Sequence, residues 1–316
     1  MISGIIRRRT ALALPLALLG TLLIGLLAGC GGTATSSTGG NAPKLTPVRL
    51  ALDWTPNTNH TGIYVAMQKG WYRDAGIDLT LLPYGSVAPE QLVATGQAEF
   101  AISFPEAVTA DRALGQPLVS VAAVIQHNTS ALVTLKSSGL DTVAKLAGKR
   151  YAGFGGPYEQ PVISQVLSCG GAANTSFQNV TTTLDPIAAL KSGQFDFAWV
   201  YMGWEGIEAQ RSGADLNVFP LVDYCIPDYS SPVIITSQKL IQQQPDLIKR
   251  FLKATGQGYT YAVQHPDDAA QLLIKGTPAG TFDDSGLVTA SQAYLSPQYT
   301  KDATCWGTQS LEKWTN

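Results

Sequence analysis

The sequence predicts an α/β fold with two lobes, and three observations lead to this prediction. From about residue 48 onward, short apolar strands alternate with helices, which is typical of a mostly parallel sheet covered by helices. The same alternation starts again near residue 146, which indicates a second sheet. The chain has 316 residues, and at roughly 100–200 residues per domain this length accommodates two separate cores.

The composition excludes several classes of protein. Charged residues make up 14% of the chain and hydrophobic residues 45%, whereas disordered chains combine high charge with few apolar residues. The 31 Gly and 18 Pro have no fixed period, which excludes a fibrous repeat. The net charge is −2 and no basic block follows the first residues, so nucleic acid is not expected as a partner. Neither the Cys nor the His residues show the spacing of metal ligands, and no cofactor is indicated.

The first 44 residues are predicted to be an export signal followed by a tether. A basic start, Arg7–Arg9, precedes the uncharged apolar run Ala11–Gly29, which is the layout of a secretory signal. The run closes as Leu27-Ala28-Gly29-Cys30, which resembles the bacterial lipobox, where the Cys receives a diacylglycerol. We therefore predict a signal peptide over residues 1–29, lipidation at Cys30 and a flexible tether over residues 30–44. The alternative is an uncleaved helix across the membrane, because the run approaches the ~20 residues that a span needs.

The first half of the folded part predicts four strands and three helices. Each strand is an alternating or continuous apolar stretch, and most helices end at a Gly. The predicted strands are Val48–Leu52, Ile77–Leu81, Phe100–Ile102 and Leu118–Ile125, and the predicted helices are His60–Trp71, Pro89–Ala94 and Glu106–Leu114.

The second half repeats this pattern and adds helices at its end. Strands are predicted over Leu146–Gly153, Phe195–Tyr201 and Pro232–Thr236, and helices over Tyr158–Leu167, Asp185–Leu190, Gly203–Gln210, Pro245–His265, Asp267–Ile274 and Asp283–Leu295. We infer that the chain crosses between the lobes twice, near Ala131–Lys136 and Pro232–Thr236. This assigns residues 45–132 plus 236–316 to lobe 1 and residues 133–235 to lobe 2.

Aromatic and acidic residues concentrate where a predicted strand passes into a helix. Open α/β sheets bind ligands outside the carboxyl ends of their strands, and flat aromatic walls with a few polar groups suit a flat heterocycle. Packing in the core is the competing interpretation for each aromatic residue, and stabilisation of a helix start for each Glu. The sequence has no nucleophile elbow, Walker A loop, HExxH motif or EF-hand. The residues concerned are Asp53, Trp54, Tyr84, Phe104, Glu106, Phe154, Tyr201, Trp204 and Glu205.

One glycine-rich turn, Gly153–Glu159, follows a predicted strand and opens a helix. Such a turn presents backbone N–H groups to a ligand. It lacks the full spacing of a dinucleotide-binding turn, and a plain connection between strand and helix is the alternative.

Longer motifs resemble the NMT1/THI5-like family, in particular its bacterial substrate-binding proteins for thiamine pyrimidine precursors. The matching segments are Leu52–Gly62, Gly70–Leu79, Ser103–Thr109, Leu146–Lys149, Gly153–Glu159 and Trp204–Gly206. The resemblance implies the second type of periplasmic-binding-protein fold, in which a hinge of two crossings joins two α/β lobes around a ligand. By motif position it implies ligand contacts from Trp54, Asn57, His60, Ser103, Glu106, Gly155, Gly156, Glu159, Tyr201, Trp204 and Glu205, to which we add Tyr84.

The resemblance implies a binding protein of an ABC importer and not an enzyme, and the lipobox places it outside the cytoplasm, anchored by lipid. The expected partners are a permease and its ATPase, with the binding protein acting as a monomer. The expected ligand is a thiamine pyrimidine precursor of the hydroxymethylpyrimidine or formylaminopyrimidine type. Riboflavin, another small heterocycle or an organosulfonate is the alternative within the same fold.

The family also contains fungal pyrimidine synthases, and one residue here matches them. They need a Schiff-base lysine in the segment that corresponds to Ala101–Glu106, and a cysteine-rich run near Cys225. Here the first segment reads AISFPE and the second holds a single Cys. His60 does match the fungal active-site histidine, but without that lysine we do not expect synthase activity. Whether Cys169, Cys225 and Cys305 form a pair and a free thiol is left open.

Overall fold

The computed structural model describes residues 44–315, so the predicted signal peptide, the lipidation site Cys30 and nearly all of the tether lie outside the described residues. Ten strands form two five-stranded sheets. The strands are β1 (Thr46–Ala51), β2 (Ile77–Leu82), β3 (Phe100–Ser103), β4 (Leu118–Ala123), β5 (Ser130–Leu135), β6 (Arg150–Gly153), β7 (Gln178–Thr181), β8 (Phe197–Tyr201), β9 (Leu216–Pro220) and β10 (Val233–Ser237).

Helices cover both sheets, and the longest one follows the last strand. They are α1 (Thr61–Gln68), α2 (Trp71–Asp74), α3 (Pro89–Ala94), α4 (Pro105–Ala113), α5 (Glu159–Cys169), α6 (Pro186–Lys191), α7 (Ile207–Arg211), α8 (Gln238–Gln243), α9 (Pro245–Gln264), α10 (Pro266–Gly276), α11 (Ser285–Leu295) and α12 (Glu312–Thr315). Within residues 44–315, none of these helices combines the length and the apolar character that crossing a membrane requires.

The two sheets have equivalent strand orders, which confirms the predicted α/β class with two sheets. The first sheet has the order β2-β1-β3-β10-β4 and the second the order β7-β6-β8-β5-β9. In each sheet one strand is antiparallel to both of its neighbours: β10 in the first and β5 in the second. The other four strands of each sheet share one direction, so their carboxyl ends lie along one edge.

The segments that connect the two sheets differ from the predicted crossings. The predicted crossings Ala131–Lys136 and Pro232–Thr236 fall largely within β5 and β10, and the links are residues 124–129 and 221–232. The reason is that strands buried on both faces read as continuous apolar runs, which a hinge segment can also show. The predicted lobe boundaries at 132/133 and 235/236 therefore cut through strands.

The two links are hydrogen-bonded to one another. Val124 N donates to Pro232 O at 2.9 Å, and Ser230 Oγ donates to Gln126 O at 3.0 Å. The carboxylate of Asp228 accepts from the backbone N–H of Asn128 at 2.9 Å. The two chain crossings are thus joined side by side.

A disulfide between Cys169 and Cys225 joins the end of α5 to the second link. The third cysteine of the described part, Cys305, is exposed and unpaired there. This settles the pairing that the sequence left open.

Each sheet has its own buried core. Helices α1 and α9 pack on the first sheet around Phe100 and Phe251, whose rings stack with centroids 3.8 Å apart. In the second sheet the core centres on Tyr151, Phe197 and Leu167, all fully buried. These cores hold the carboxyl ends of the strands in place, and the candidate site lies there.

Candidate functional site

A cavity of about 350 Å³ lies where the carboxyl ends of the two sheets face each other. Its walls come from the segments that follow β1, β2, β3 and β6, from α3 and α4, and from the end of β8. The lining residues are Asp53, Trp54, Asn57, Asn59, Tyr84, Gly85, Ser86, Ala88, Pro89, Glu90, Phe104, Ala107, Asp111, Phe154, Gly155, Gly156, Pro157, Tyr158, Trp199, Tyr201 and Glu205.

Seven of the twelve residues predicted to contact a ligand line this cavity. They are Trp54, Asn57, Tyr84, Gly155, Gly156, Tyr201 and Glu205. The other five do not line it: His60, Ser103, Glu106, Glu159 and Trp204. Four of these five hold or surround lining residues, as described below, and the fifth, Trp204, packs elsewhere.

Aromatic rings form the walls and meet across the gap between the sheets. Trp54 lies against Tyr84 with ring centroids 4.9 Å apart. Its other contact is with Phe154, from the second sheet, at 5.7 Å and edge-on. A second pair crosses the same gap, where Phe104 stacks on Tyr201, from the other sheet, at 5.7 Å with an angle of 19°. A flat ring that enters the cavity therefore finds aromatic faces from both sheets.

His60 is buried beneath the cavity and orients Asp53. The backbone N–H of Asn57 donates to His60 Nδ1 at 3.2 Å. Since that nitrogen must accept, Nε2 carries the proton and donates to Asp53 Oδ1 at 2.7 Å. The Asn57 side chain caps the following 3₁₀ turn by accepting from Asn59 N at 2.9 Å. The turn that presents Asp53 and Asn57 is thus fixed by its own side chains.

Glu205 reaches the cavity from an irregular helical turn. The structure replaces the predicted helix Gly203–Gln210 by a π-helical turn, Met202–Gly206, that leads into α7. The backbone N–H of Tyr201 donates to Glu205 Oε2 at 3.0 Å. Burial raises the pKa of Glu205 to about 8, so the carboxyl group is mostly protonated at neutral pH. A protonated carboxyl offers one donor and one acceptor to a ligand.

Ser103 supports a lining carboxyl that the sequence did not point to. Its hydroxyl donates to Glu90, which begins α3 and is buried at the cavity wall. Burial raises the pKa of Glu90, and the Ser103 hydrogen bond opposes this shift. Ser103 therefore acts through Glu90 rather than by lining the cavity itself.

Glu159 stabilises the glycine turn by binding its backbone N–H groups. It is fully buried and accepts hydrogen bonds from the backbone N–H groups of Phe154 and of Gly155, the latter at 3.3 Å. Gly155 has a φ of +89°, which a residue with a side chain rarely adopts. Because Glu159 takes these two N–H groups, they are not free to bind an anion. The turn is at the ligand cavity, as predicted, but its donors are used internally.

Glu106 lies behind Phe104 and accepts a hydrogen bond from the Tyr229 hydroxyl. Tyr229 belongs to the second link, so this contact joins the start of α4 to the hinge region. Burial raises the pKa of Glu106, while the Tyr229 hydrogen bond lowers it. Glu106 therefore connects the cavity wall to the link between the sheets.

Trp204 packs away from the cavity. It is 9% exposed and lies among Tyr64, Leu273 and Val288, with its ring 5.9 Å from that of Phe282. Stacking of Trp204 on a ligand, as the sequence suggested, does not fit this position. The irregular turn rotates Glu205 toward the cavity and its neighbour toward the helices.

Further lining residues were missed from the sequence: Asn59, Glu90, Asp111, Tyr158 and Trp199. Trp199 and Tyr201 share one face of β8, because side chains two apart along a strand point the same way. That periodicity was a usable signal. Glu90 follows Pro89 at a helix start, where an acidic residue is expected on general grounds and so gives no specific signal.

The cavity has a clear charge pattern. Four of its lining residues carry carboxyl groups: Asp53, Glu90, Asp111 and Glu205. Among the described residues, no Lys or Arg lines it. An anionic ligand would meet no compensating positive side chain there, whereas a neutral or basic ligand meets suitable partners.

Comparisons with known proteins agree with this architecture. The family described as NMT1/THI5 like matches residues 57–269. The formylaminopyrimidine-binding protein of Halalkalibacterium halodurans is 27% identical over 263 residues, which cover 83% of this chain and 78% of that protein. The 4-amino-5-hydroxymethyl-2-methylpyrimidine phosphate synthase of Legionella pneumophila is 29% identical over 237 residues, 73% of this chain and 74% of that protein.

Among solved structures, the alkanesulfonate-binding protein SsuA of Xanthomonas axonopodis pv. citri, bound to MOPS, has a TM-score of 0.60. It is 15% identical, and the match covers 78% of this chain and 83% of that one. This chain therefore belongs to the NMT1/THI5-like family and has the two-lobed α/β fold of periplasmic binding proteins.

Proposed function

We propose that this chain is the substrate-binding protein of an ABC importer and captures a thiamine pyrimidine precursor between its two sheets. The observation that carries the proposal is the cavity itself, which combines aromatic walls and carboxyl groups with no basic side chain among the described lining residues. Such a site selects a flat ligand that is neutral or basic.

The size of the cavity favours a small ring over a large one. Small-molecule pockets span ~300–1,000 Å³, and this cavity, at about 350 Å³, is near the lower end. A single substituted pyrimidine suits this volume better than the three fused rings and ribityl chain of riboflavin.

The charge pattern argues against anionic ligands. Sulfonates and phosphorylated pyrimidines would lie near Asp53 and Glu90 without a Lys or Arg from the described lining residues. The two N–H groups of the glycine turn that could bind an anion are held by Glu159 instead. This distinguishes the chain from its structural neighbour SsuA, whose name specifies alkanesulfonates.

Glu205 is proposed to recognise the aminopyrimidine edge. Its protonated carboxyl can donate to a ring nitrogen and accept from the adjacent amino group, while Tyr201 supplies a flat ring surface beside it. Stacking alone adds ~0.5–1.5 kcal/mol for any flat ring. Discrimination between rings must therefore come from the polar contact.

Binding is favoured over synthesis for two reasons. The relative of Halalkalibacterium halodurans is named for binding formylaminopyrimidine, and the match spans most of both chains. Synthesis by the family's pyridoxal-phosphate route needs a lysine at the site, and the described lining residues include none.

The predicted lipid anchor at Cys30 would hold this protein outside the cytoplasm, beside its permease and ATPase. Its test is Cys30→Ser in a bacterial host, which we expect to abolish fatty-acid labelling; retained labelling would contradict the anchor.

The test of the ligand is a calorimetric titration with a panel of compounds. We expect 4-amino-5-hydroxymethyl-2-methylpyrimidine or its formylamino analogue to bind, its phosphate ester to bind at least 10-fold more weakly, and riboflavin not to compete. Mass spectrometry of small molecules released from the purified protein should identify the same class. Tight binding of the phosphate ester or of a sulfonate would contradict the proposal.

Two substitutions tie such binding to the cavity. Glu205→Leu, which removes both the donor and the acceptor of the carboxyl group, should weaken binding of the aminopyrimidine by about 5- to 150-fold, the range for two lost hydrogen bonds of ~0.5–1.5 kcal/mol each. Trp54→Ala should also weaken it, whereas Trp314→Ala, outside the cavity lining, should not. An equal effect of Glu205→Leu on a ring without the amino group would assign Glu205 a structural role.

A further inference from the structure

Two turns that carry polar cavity residues are joined through a helix near the end of the chain. The first turn, Thr58–His60, follows Asn57 in the first sheet's half, and the second, Met202–Gly206, carries Glu205 in the other half. Helix α11 packs against both turns and against α7. The two turns therefore meet through α11 and not only through the cavity.

The contact is made by Ser291, a fully buried residue of α11. The Ser291 hydroxyl donates to the carbonyl of Gly203, two residues before Glu205. Its oxygen lies 2.5 Å from the hydroxyl of Thr58, one residue after Asn57. Since Ser291 has one proton and gives it to Gly203, Thr58 is the donor in that pair. The hydrogen bonds run in one direction, from Thr58 to Ser291 to Gly203.

The packing around this chain of hydrogen bonds leaves little room for adjustment. A Cβ on Gly203 would lie 2.5 Å from Cδ2 of Leu295 on α11, so the turn approaches the helix as closely as a glycine permits. Trp204 packs on Val288 of the same helix. At the outer end, Arg211 pairs with Asp284 at 2.8 Å.

We propose that Ser291 is a positioning residue for the ligand site: its hydroxyl fixes the turn of Glu205 relative to the turn of Asn57. This inference rests on the proposed function, because the positioned groups are those assigned to the ligand. It reaches beyond the family match, which ends at residue 269, before α11 begins. Helix α11 thereby takes part in setting the geometry of recognition without lining the cavity.

The test is Ser291→Ala, with Thr289→Ala as the matched control. Thr289 lies on the same helix, and its hydroxyl bonds only within α11, to Ser285 O. We expect Ser291→Ala to weaken aminopyrimidine binding about 3- to 10-fold, within the range of one or two lost neutral hydrogen bonds. Thr289→Ala should change binding by less than 2-fold.

A double-mutant cycle separates positioning from general loosening. If Ser291 acts through Glu205, the loss caused by Ser291→Ala should shrink to less than about 2-fold in the Glu205→Leu background, because coupled residues are not additive. Equal losses in both backgrounds would overturn the inference while leaving the proposed ligand intact.

A second readout needs no ligand. The stability difference between the protein and Glu205→Gln, measured against pH, reports the pKa of Glu205 in the folded state. This pKa is the pH above which the stability difference levels off. In the Ser291→Ala background we expect it to fall by about one unit, as water reaches the loosened turn. An unchanged pKa of Glu205 would overturn the positioning role. If the unsubstituted protein binds no aminopyrimidine, the proposed function fails and this readout alone decides the inference.

Discussion

The two sheets are alike at the amino ends of their strands and different at the carboxyl ends. Arg49, in β1, pairs with Glu99 at 2.7 Å and donates to Gly96 O at 3.0 Å. In the second sheet Arg150, in β6, pairs with Asp196 at 2.8 Å and donates to Gly193 O at 3.0 Å. With the equivalent strand orders, these matching ion pairs show that both halves are built on one plan.

The carboxyl ends depart from this plan at the equivalent strands β3 and β8. After β3, Pro105 starts a regular helix at once, and Glu106 is bonded by Tyr229. After β8 comes the π-helical turn Met202–Gly206, which presents Glu205. Irregular π turns inside helices are frequent at functional sites. The shared features thus belong to the scaffold, and the differing features lie at the candidate site.

The largest expected difference between the halves concerns stability, because only the second half carries a disulfide among the described residues. Cys169 and Cys225 are 56 residues apart, and closing such a loop stabilises a fold by roughly 4 kcal/mol in the chain-entropy description. We expect Cys169→Ala with Cys225→Ala to lower the unfolding free energy by about 2–4 kcal/mol. Denaturant titration measures this.

The matched control for the disulfide is Cys305→Ala, because that thiol is exposed and unpaired in the described part. Cys305→Ala should leave the denaturant midpoint of unfolding unchanged. A reducing agent should lower the midpoint of this variant as much as it lowers that of the parent protein. Equal midpoints for the double variant and the control would show that the disulfide does not stabilise the second half.

A smaller difference is expected between the two glutamates that follow β3 and β8. Burial raises the pKa of Glu205 from 4.5 to about 8. The folded state therefore holds this proton more tightly than the unfolded chain does. The stability it contributes is complete below pH 4.5 and is lost as pH rises toward about 8. Relative to Glu205→Gln, the protein should therefore become progressively less stable across this window.

Glu106→Gln provides the comparison, because the Tyr229 hydrogen bond opposes the effect of burial on the pKa of Glu106. We expect a weaker pH dependence of its stability difference. Thermal unfolding of all three proteins between pH 4 and 9 measures both slopes. A flat difference for Glu205→Gln would mean that water reaches this carboxyl group in the folded protein.

The smallest expected effect tests the shared plan. Arg49→Ala and Arg150→Ala should lower the melting temperature by similar amounts, on the order of a few degrees, since each removes an equivalent bidentate pair. Arg112→Ala, an exposed residue of α4 with no ion pair in residues 44–315, is the control. A loss confined to one of the two Arg variants would show that the halves do not rely on their ion pairs equally.

Much of the fold could be predicted from local patterns. Helix α3 has the predicted bounds, and β1, β2 and β3 lie within two residues of theirs. The strands β5, β7 and β9 were not predicted, because β5 reads as a continuous apolar run and β7 is exposed. These strands show little of the alternation between apolar and polar residues from which a strand is predicted.

An internal repeat was present in the sequence and was not used. Gly96-Gln97-Ala98-Glu99-Phe100-Ala101 corresponds to Gly193-Gln194-Phe195-Asp196-Phe197-Ala198. Each segment ends a helix, supplies the acidic partner of an Arg and enters a central strand. Aligning them would have equated β3 with β8, and so Phe104 and Glu106 with the region of Tyr201 and Glu205.

The orientation of Trp204 and Glu205 could not be predicted from the sequence. A regular helix from Gly203 would have directed these side chains differently from the π-helical turn, and no residue pattern marks such a turn. Glu90 and Asp111 likewise reach the cavity only because α3 and α4 pack beside each other on the first sheet. Contacts of this kind depend on tertiary packing, which local periodicity does not contain.

The paired links have a mechanical consequence. A single link between two lobes permits both bending and twisting, whereas two links that are hydrogen-bonded side by side resist twisting. Here the two links are joined by three hydrogen bonds, between Val124 and Pro232, Ser230 and Gln126, and Asn128 and Asp228. We therefore expect motion between the sheets to be bending about one axis. Closure about that axis should bring Phe104 back to the same face of Tyr201, and Trp54 to the same edge of Phe154.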